Sequence, residues 1–331
     1  MDKRRAELRD AELDVAAARP RIERQLLGFQ RGATFSYWDW VATGMRLELS
    51  RRLLDIAEQR QGQIRRRVER GALPSIDLID NERLILERRV RLIDSERAFE
   101  QATNTLSLFL RDANGSPDLV QPARLPSDFP EEFAPEFDEL DRDIEDAMTQ
   151  QPLLQALKFE LEQAAVKLEL AENRVLPGLS LSLGGSRDVG AASKFPDDKG
   201  PTVLGATIEF ELPVQRREAR GEVAEAAAKL RQLKSKLRFA EDRVAADVRN
   251  AVIALRAAYK QVDAAKRTRE LAETLMLGEE RKLDLGESNL INVNIRELQA
   301  FDAATQLIAT QADYFRALAN YHFSLGDSLN A

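Results

Sequence analysis

The second half of the chain contains one helical pattern that is far longer than a helix of a compact domain. From Gln215 to Leu285 apolar residues recur at alternating steps of three and four, and no proline follows Pro213. About 70 residues at a rise of ~1.5 Å give a rod of roughly 105 Å. A globular helix averages only about 11–12 residues. Because packing supplies most of a helix's stability, we expect this one to lie along equally long neighbours.

The composition agrees with long helices and excludes several chemistries. The 331 residues are 44% hydrophobic and 32% charged but only 6% aromatic, so the apolar residues are mostly the Ala and Leu of narrow helix–helix seams. The absence of cysteine and the single histidine exclude thiol nucleophiles, cysteine-ligated metals and multi-histidine metal sites. A net charge of −7 gives no reason to expect nucleic-acid binding, and no apolar stretch reaches the length of a transmembrane helix.

No enzyme motif occurs in the sequence. Gly178-Leu179-Ser180-Leu181 is followed by Ser182 rather than glycine, so it is not a nucleophile elbow. The Gly184-Gly185 pair is not followed by the Lys-Ser/Thr of a phosphate-binding loop. We therefore predict that the protein is not an enzyme and needs no cofactor or metal.

Residues 176–214 change to the two-residue period of β-strands and predict a hairpin. The alternating apolar positions are Leu179, Leu181, Leu183, Leu204, Ala206, Ile208, Phe210 and Leu212. Each strand has about the length that crosses an outer membrane in a β-barrel; a half-buried sheet of a soluble domain is the alternative. Since an isolated hairpin is marginal in water, we expect its partner strands to come from other subunits, from a missing segment or from both.

A shift of 215 residues aligns the two halves of the chain as internal repeats. Gly71 then meets Gly286 between two long helices, and Glu82 meets Glu297. The first, incomplete repeat is predicted at 1–143, with a helix-turn-helix tip at 71–75 and a connection at 112–142. The second repeat, at 144–331, is predicted to contain a helix at 144–173, the hairpin at 176–214 and long helices at 215–285 and 290–325.

The repeat offset also makes a prediction about the N-terminus. Met1 falls opposite Arg216, two residues after the strand ends at Val214. The helix and hairpin that precede this point in the second repeat have no equivalent in the first. We therefore expect that a first hairpin, a helix and an export signal belong upstream of Met1.

Four segments resemble, in order and spacing, the TolC family of outer membrane efflux proteins. They are Val175–Gly185 and Thr207–Val214 for the strands, Leu285–Val293 for the periplasmic turn, and Tyr314–Tyr321 for the closing helix. The resemblance implies a mainly α fold with one β-hairpin. In this fold long antiparallel coiled-coil helices form an α-barrel, and the strands join a trimeric outer-membrane β-barrel.

The same resemblance implies a function. The chain would be the outer-membrane channel component of a tripartite efflux or type I secretion system, exporting small molecules, metals or proteins from the periplasm. Its implied partners are two further copies in a homotrimer, a periplasmic adaptor protein, an inner-membrane pump and outer-membrane lipid, but no nucleic acid. Two alternatives remain open: a periplasmic adaptor, and a soluble coiled-coil scaffold without channel activity.

The resemblance assigns three groups of candidate site residues. Adaptor contact and gating fall on the two tips, at Gly71, Pro74, Ser75, Gly286, Glu287, Ser288 and Asn289. A pore constriction falls on Asp77 and Asp80, with the uncharged Asn292 in the second repeat; an ordinary role beside the positive end of a helix dipole is equally open for the two aspartates. Glu209 and Glu211 are expected to face the barrel lumen.

Three further expectations concern the first repeat. Pro20, Gly28 and Gly32 predict interruptions of its first helix. Trp38 and Trp40 align with mid-helix positions of the second repeat and indicate inter-helix packing rather than a membrane aromatic belt. A basic cluster before the first tip is predicted to be a solvated face paired with neighbouring acids, with adaptor or nucleic-acid contact as the alternative; its members are Arg60, Arg65, Arg66, Arg67 and Arg70.

Overall fold

The computed structural model describes residues 1–135, 140–188, 202–211 and 216–327. The helices in these ranges are α1 (Lys3–Glu69), α2 (Ser75–Ser107), α3 (Leu140–Gln150), α4 (Pro152–Arg174), α5 (Arg217–Asp284) and α6 (Leu290–Leu325). The strands are β1 (Gly178–Ser186) and β2 (Val203–Glu211), and one 3₁₀ turn spans Pro122–Arg124. The predicted mainly α fold with one hairpin is confirmed.

The first helix is continuous, so the predicted interruptions are wrong. Helix α1 runs for 67 residues with Pro20 inside it. A proline removes one backbone hydrogen bond and crowds the preceding turn, and the packing along so long a helix outweighs that local cost. Gly32 serves a close contact instead, because a Cβ atom there would lie 3.2 Å from the ring of Phe109. At Gly28 nothing lies within 4 Å of an added Cβ.

The segment predicted as one helix at 144–173 is two helices, α3 and α4. Pro152 begins α4, in agreement with the preference of proline for the first turn of a helix. The intervening Gln151 donates from Nε2 to the carbonyl oxygens of Phe323 and Ser324, at 2.9 and 2.6 Å. These carbonyls lie in the last turn of α6, where the regular helical bonding ends; the Phe323 carbonyl also accepts from the Gly326 amide at 3.1 Å.

The chain divides into two compact units. The first contains Met1–Ile22 and Pro152–Glu241. Within it α4 pairs with α1 and with α5: Gln163 Nε2 donates to Asp14 Oδ1 at 2.9 Å, and Lys236 Nζ lies 3.3 Å from Glu160 Oε2. The buried seams are rich in alanine, whose small side chain lets helices approach closely; they include Ala6, Leu13, Ala17, Ala164, Ala171 and Leu233.

The hairpin of the first unit has one apolar face and one polar face. Leu179 pairs with Phe210 and Leu181 pairs with Ile208, so the apolar residues of both strands share one face. Small residues and Glu209 and Glu211 share the other. The apolar side chains are 65–76% exposed at Leu179, Leu181, Leu183, Ile208 and Phe210. Among the described residues β1 and β2 pair only with each other; the predicted strand positions Leu212 and Val214 lie outside those residues.

The second unit contains Glu23–Gln151 and Asp242–Ala331. One buried cluster joins α1, α2 and the connection around Trp40, Phe99 and Val120. Another joins α5 and α6 around Leu255, Leu307, Tyr314 and Phe315. Trp40 is 1% exposed and donates from Nε1 to Thr103 Oγ1 at 3.0 Å.

Residues 122–133, called the strap below, tie these clusters together. The ring of Phe129 stacks on Trp38 and on Phe315, with centroid distances of 5.7 and 5.9 Å. The carboxylate of Glu132 accepts hydrogen bonds from Lys266 Nζ at 2.5 Å and from Gln311 Nε2 at 2.7 Å. The predicted connection is therefore partly buried, and the two tryptophans pack between helices as predicted.

The strap also explains why a glycine occupies the middle of α1. A Cβ atom at Gly44 would lie 2.6 and 2.7 Å from the two methyl carbons of Leu125 and 3.0 Å from Phe99. These distances are shorter than van der Waals contact. Glycine at this position therefore lets the strap lie against the helix surface.

Candidate functional site

Both helix-turn-helix tips have the same backbone geometry. Gly71 and Gly286 adopt left-handed conformations with φ of 69° and 80°. The amide of Gly71 donates to the Val68 carbonyl at 2.9 Å and that of the next residue donates to the Arg67 carbonyl at 2.8 Å. The second tip repeats both bonds, from Gly286 to Leu283 at 3.1 Å and from the next residue to Lys282 at 2.8 Å. The glycine-centred reversal predicted for the tips is confirmed.

The helices that leave the two tips begin differently. Asn289 caps α6, since its Oδ1 accepts from the amide of Asn292 at 3.0 Å. Pro74 precedes α2 and offers no side-chain cap. Ser288 donates from Oγ to Glu279 Oε1 at 2.5 Å, and this hydrogen bond lowers the pKa of the Glu279 carboxyl. The second tip therefore carries side-chain bonds that Pro74 cannot supply at the first.

Two of the three predicted constriction residues lie together. Asp77 and Asp80 line a groove of about 350 Å³ between α2 and α6, with Ile291 and Ile295 on its opposite side. Asn292 is exposed and does not line this groove. The structure therefore groups the two aspartates and leaves Asn292 at the helix cap.

A buried ion cluster lies about two to four helical turns from the tips. Glu297 of α6 accepts from both nitrogens of Arg60 on α1, and its Oε2 accepts from Arg88 Nη2 of α2 at 2.5 Å. The side chains of Glu297, Arg88 and Arg60 are 1%, 4% and 12% exposed. One carboxylate thus links three helices of the second unit.

Each arginine of the cluster has a further acceptor. Arg60 Nη1 donates to Asn294 Oδ1 at 2.8 Å, and Arg88 Nη1 donates to the Leu53 carbonyl at 2.6 Å. Burial lowers the pKa of both guanidinium groups; for Arg88 it falls to about 10, with the positive charges of Arg60 and Arg91 also contributing. At about 10 the pKa of Arg88 leaves that guanidinium charged at neutral pH. Glu297 is the carboxylate that both arginines share, and the negative charge of Glu280 also acts on Arg60.

Sequence reasoning missed this cluster, although a signal was present. Glu297 stands between Val293 and Ala300 at the spacing of a buried helix seam, where a charged residue is costly unless it is paired. Its counterpart in the first repeat, Glu82, is exposed. The first repeat therefore has no buried carboxylate at the equivalent position, and the cluster joins two arginines of the first repeat to one glutamate of the second.

The pairing predicted for the basic cluster before the first tip holds for Arg60 alone. No ion pair joins Arg65, Arg66, Arg67 or Arg70 to any carboxylate of the described ranges. All four side chains are exposed. The expectation of a face paired with neighbouring acids is therefore wrong for these four residues.

The predicted lumen residues lie on the polar face of the hairpin. Glu209 and Glu211 are exposed, and Ser180 Oγ lies 3.5 Å from Glu209 Oε2. No helix within the described ranges is long and apolar enough to cross a membrane, and those ranges contain no cluster of residues suited to hold a metal ion.

The sequence is similar to one known protein family. The sequence profile of the outer membrane efflux protein family matches residues 144–327, which is more than half of the chain. No protein of curated function matches the sequence significantly.

The fold is similar to several solved structures. A membrane protein from Pseudomonas aeruginosa matches with a TM-score of 0.85 and 16% identity, over 98% of this chain and 71% of that one. The Campylobacter jejuni CmeC outer membrane channel matches with a TM-score of 0.81 and 16% identity, over 97% and 67%. The open state of the Neisseria gonorrhoeae MtrE outer membrane channel matches with a TM-score of 0.78 and 18% identity, over 98% and 72%. Together with the family profile, these matches show that the chain belongs to the outer membrane efflux protein family.

Proposed function

We propose that the two tips are the end of an outer-membrane export channel at which a periplasmic adaptor docks and the pore is gated. As a member of its family the chain is an outer-membrane channel component of an efflux system, with its helices in the periplasm. The observation that carries the proposal is the shared backbone geometry of the tips. Gly71 and Gly286 give the two repeats equivalent rigid turns, so one kind of partner element can meet both.

The residues around these turns complete the proposed docking surface. Pro74 and Ser75 begin α2, and Glu287, Ser288 and Asn289 lead into α6. Most of them are exposed. A docking role is compatible with their part in helix reversal, because a turn fixed by capping bonds presents its side chains without a large loss of entropy on binding.

Assembly of several copies, a homotrimer by the family resemblance, is the second part of the proposal. Helix α2 buries Asn81 and Arg88 on one side and exposes Ile79, Leu86 and Ile93 on the opposite side, at seven-residue steps. A helix with seams on two opposite sides needs a neighbour on each. The hairpin likewise exposes an apolar face and unpaired edges. Further copies would supply both kinds of neighbour, and lipid would meet the apolar strand face.

Two groups of acidic residues are assigned to the conduit. In the proposed arrangement Asp77 and Asp80 narrow the tip end of the pore, with Asn292 as the uncharged second-repeat position. Glu209 and Glu211 face the lumen of the membrane-embedded end, because the apolar residues on the other face of the strands favour lipid. These carboxylates would favour cations over anions along the conduit.

An export assay in a bacterial strain that lacks its own outer-membrane channel tests the docking proposal. Gly286→Leu places a side chain where φ is 80° and is expected to reduce export. Gly278→Leu is the matched control, since it lies in α5 with open space around its Cβ position. The amount of each variant in the outer membrane is measured alongside. Unchanged export by Gly286→Leu at wild-type abundance would contradict the assignment of the tip.

A further inference from the structure

The first tip carries an excess of positive charge that its own fold leaves unpaired. Residues 65–70 contain four arginines and one glutamate and have a net charge of +3. The equivalent residues of the second tip, 280–285, contain two basic and two acidic side chains and are neutral. The two tips therefore share a backbone but differ in charge.

Helix capping accounts for only part of this charge. Cations near the C-terminus of a helix are favourable because they face the negative end of its dipole. Arg66 and Arg67 fill this role in α1, as Arg281 and Lys282 do in α5. Arg65 and Arg70 have no basic counterpart, since their positions in the second tip are Glu280 and Leu285.

The extra arginines are unfavourable for the isolated helix. Arg65, Arg66 and Arg67 are consecutive in the last turns of α1, and Arg70 directly follows its last residue, so four like charges are concentrated at one helix end. Ile64, directly before these residues, is buried, whereas all four arginine side chains are exposed. Glu69 lies among them, but within the described ranges no carboxylate forms an ion pair with any of the four.

We propose that Arg65, Arg66, Arg67 and Arg70 form a docking surface for acidic side chains on a helical segment of a periplasmic partner protein. Guanidinium groups bind carboxylates in a planar, two-bonded geometry, and four of them at one helix end match a cluster of Asp and Glu. The second tip, being neutral at the same positions, would contact the partner without this selectivity. The inference rests on the proposed function only in taking the tips as the docking end.

An acidic protein surface fits better than an anionic membrane. Asp77, Asp80 and Glu82 follow the tip on α2, and these three carboxylates would be repelled by anionic lipid headgroups. A protein partner can place its own acids against the arginines and avoid the aspartates. The net charge of −7 likewise disfavours a long polyanion such as nucleic acid.

The test uses the full chain in detergent and a fluorescent, glutamate-rich helical peptide as the probe. Arg65→Gln/Arg70→Gln removes two tip charges. Arg231→Gln/Arg238→Gln removes the same charge from exposed positions of α5 in the other unit. We expect the tip variant to bind the peptide about 3- to 10-fold more weakly than wild type, the control to bind as wild type does, and added salt to reduce the difference. A glutamine twin of the peptide should not bind.

Two results would overturn the inference. One is equal affinity of the acidic peptide for wild type, tip variant and control. The other is tip-dependent binding of phosphatidylglycerol vesicles in preference to the peptide, which would assign the surface to lipid. Unchanged export by Gly286→Leu, together with peptide binding that depends on the tip arginines, would count against the proposed function and leave this inference standing, so the two can fail separately.

Discussion

Replacing Glu297 with glutamine should destabilise the protein more than any other single change of a charged residue at the tip end. The substitution keeps the size of the side chain but removes the one carboxylate that forms ion pairs with both Arg60 and Arg88. Two guanidinium groups then remain at a site where the Glu297 side chain is 1% exposed. Solvent cannot replace the lost counter-charge there.

The expected cost is about 3 kcal/mol of unfolding free energy, at the lower end of the ~3–5 kcal/mol for breaking a buried ion pair. The lower end applies because Arg60 and Arg88 keep hydrogen bonds to Asn294 and to the Leu53 carbonyl. Glutamine also retains one oxygen that can accept from one of the arginines. Arg60→Met should cost less than Glu297→Gln, since it leaves one arginine opposite one carboxylate.

Unfolding of the detergent-solubilised protein, followed by far-UV circular dichroism, measures these differences. Glu82→Gln is the control, because Glu82 is the repeat counterpart of Glu297 and is exposed. Its effect should stay within about 0.5 kcal/mol of zero. The reasoning is refuted if Glu297→Gln is as stable as Glu82→Gln, or if Arg60→Met is the more damaging change.

Three smaller predictions concern single positions. Gly44→Ala should lower the unfolding free energy by about 1–3 kcal/mol, because the added methyl collides with the strap. Gly28→Ala has open space around it and should raise the unfolding free energy by up to about 1 kcal/mol. Equal effects of the two substitutions in thermal unfolding would contradict this. Gly286→Ala should cost about 1–2 kcal/mol for its left-handed φ, and a stability at or above wild type would count against that strain. In the wild type the hydrogen bond from Ser288 stabilises the charged Glu279 carboxylate, and this contribution is lost as the pH falls through the lowered pKa. Ser288→Ala removes the bond and should raise the pKa of Glu279 toward its ordinary value, which an NMR titration of the carboxyl group measures. An unshifted titration would remove Ser288 as the cause.

Features that depend on local periodicity could be predicted from the sequence. The seam spacing indicated the long helix α5, and the alternation of Leu179 and Leu181 with serines indicated a strand of the hairpin. Gly71 and Gly286 marked both tips, because a helix that reverses within a few residues needs a residue that tolerates positive φ. Each of these signals is confined to a short window of the chain.

Features that join distant parts of the chain could not be predicted in this way. Glu297 meets Arg60 across 237 residues and Arg88 across 209. No spacing rule selects those partners among 49 basic residues. At Pro20 the local sequence was misleading. Proline predicts an interruption of α1, but the helix packing around it keeps the helix continuous.

The measurement that tests the central claim most directly is electrical conductance across a planar lipid bilayer. We expect the detergent-extracted protein to insert and to give discrete conductance steps that favour cations, because carboxylates line the proposed conduit. A Leu181→Asp/Ile208→Asp variant, which charges the apolar strand face, should insert rarely and give few steps. Wild-type protein that associates with the bilayer as an oligomer but conducts no ions under any voltage or adaptor condition would contradict the claim that this chain forms an export channel.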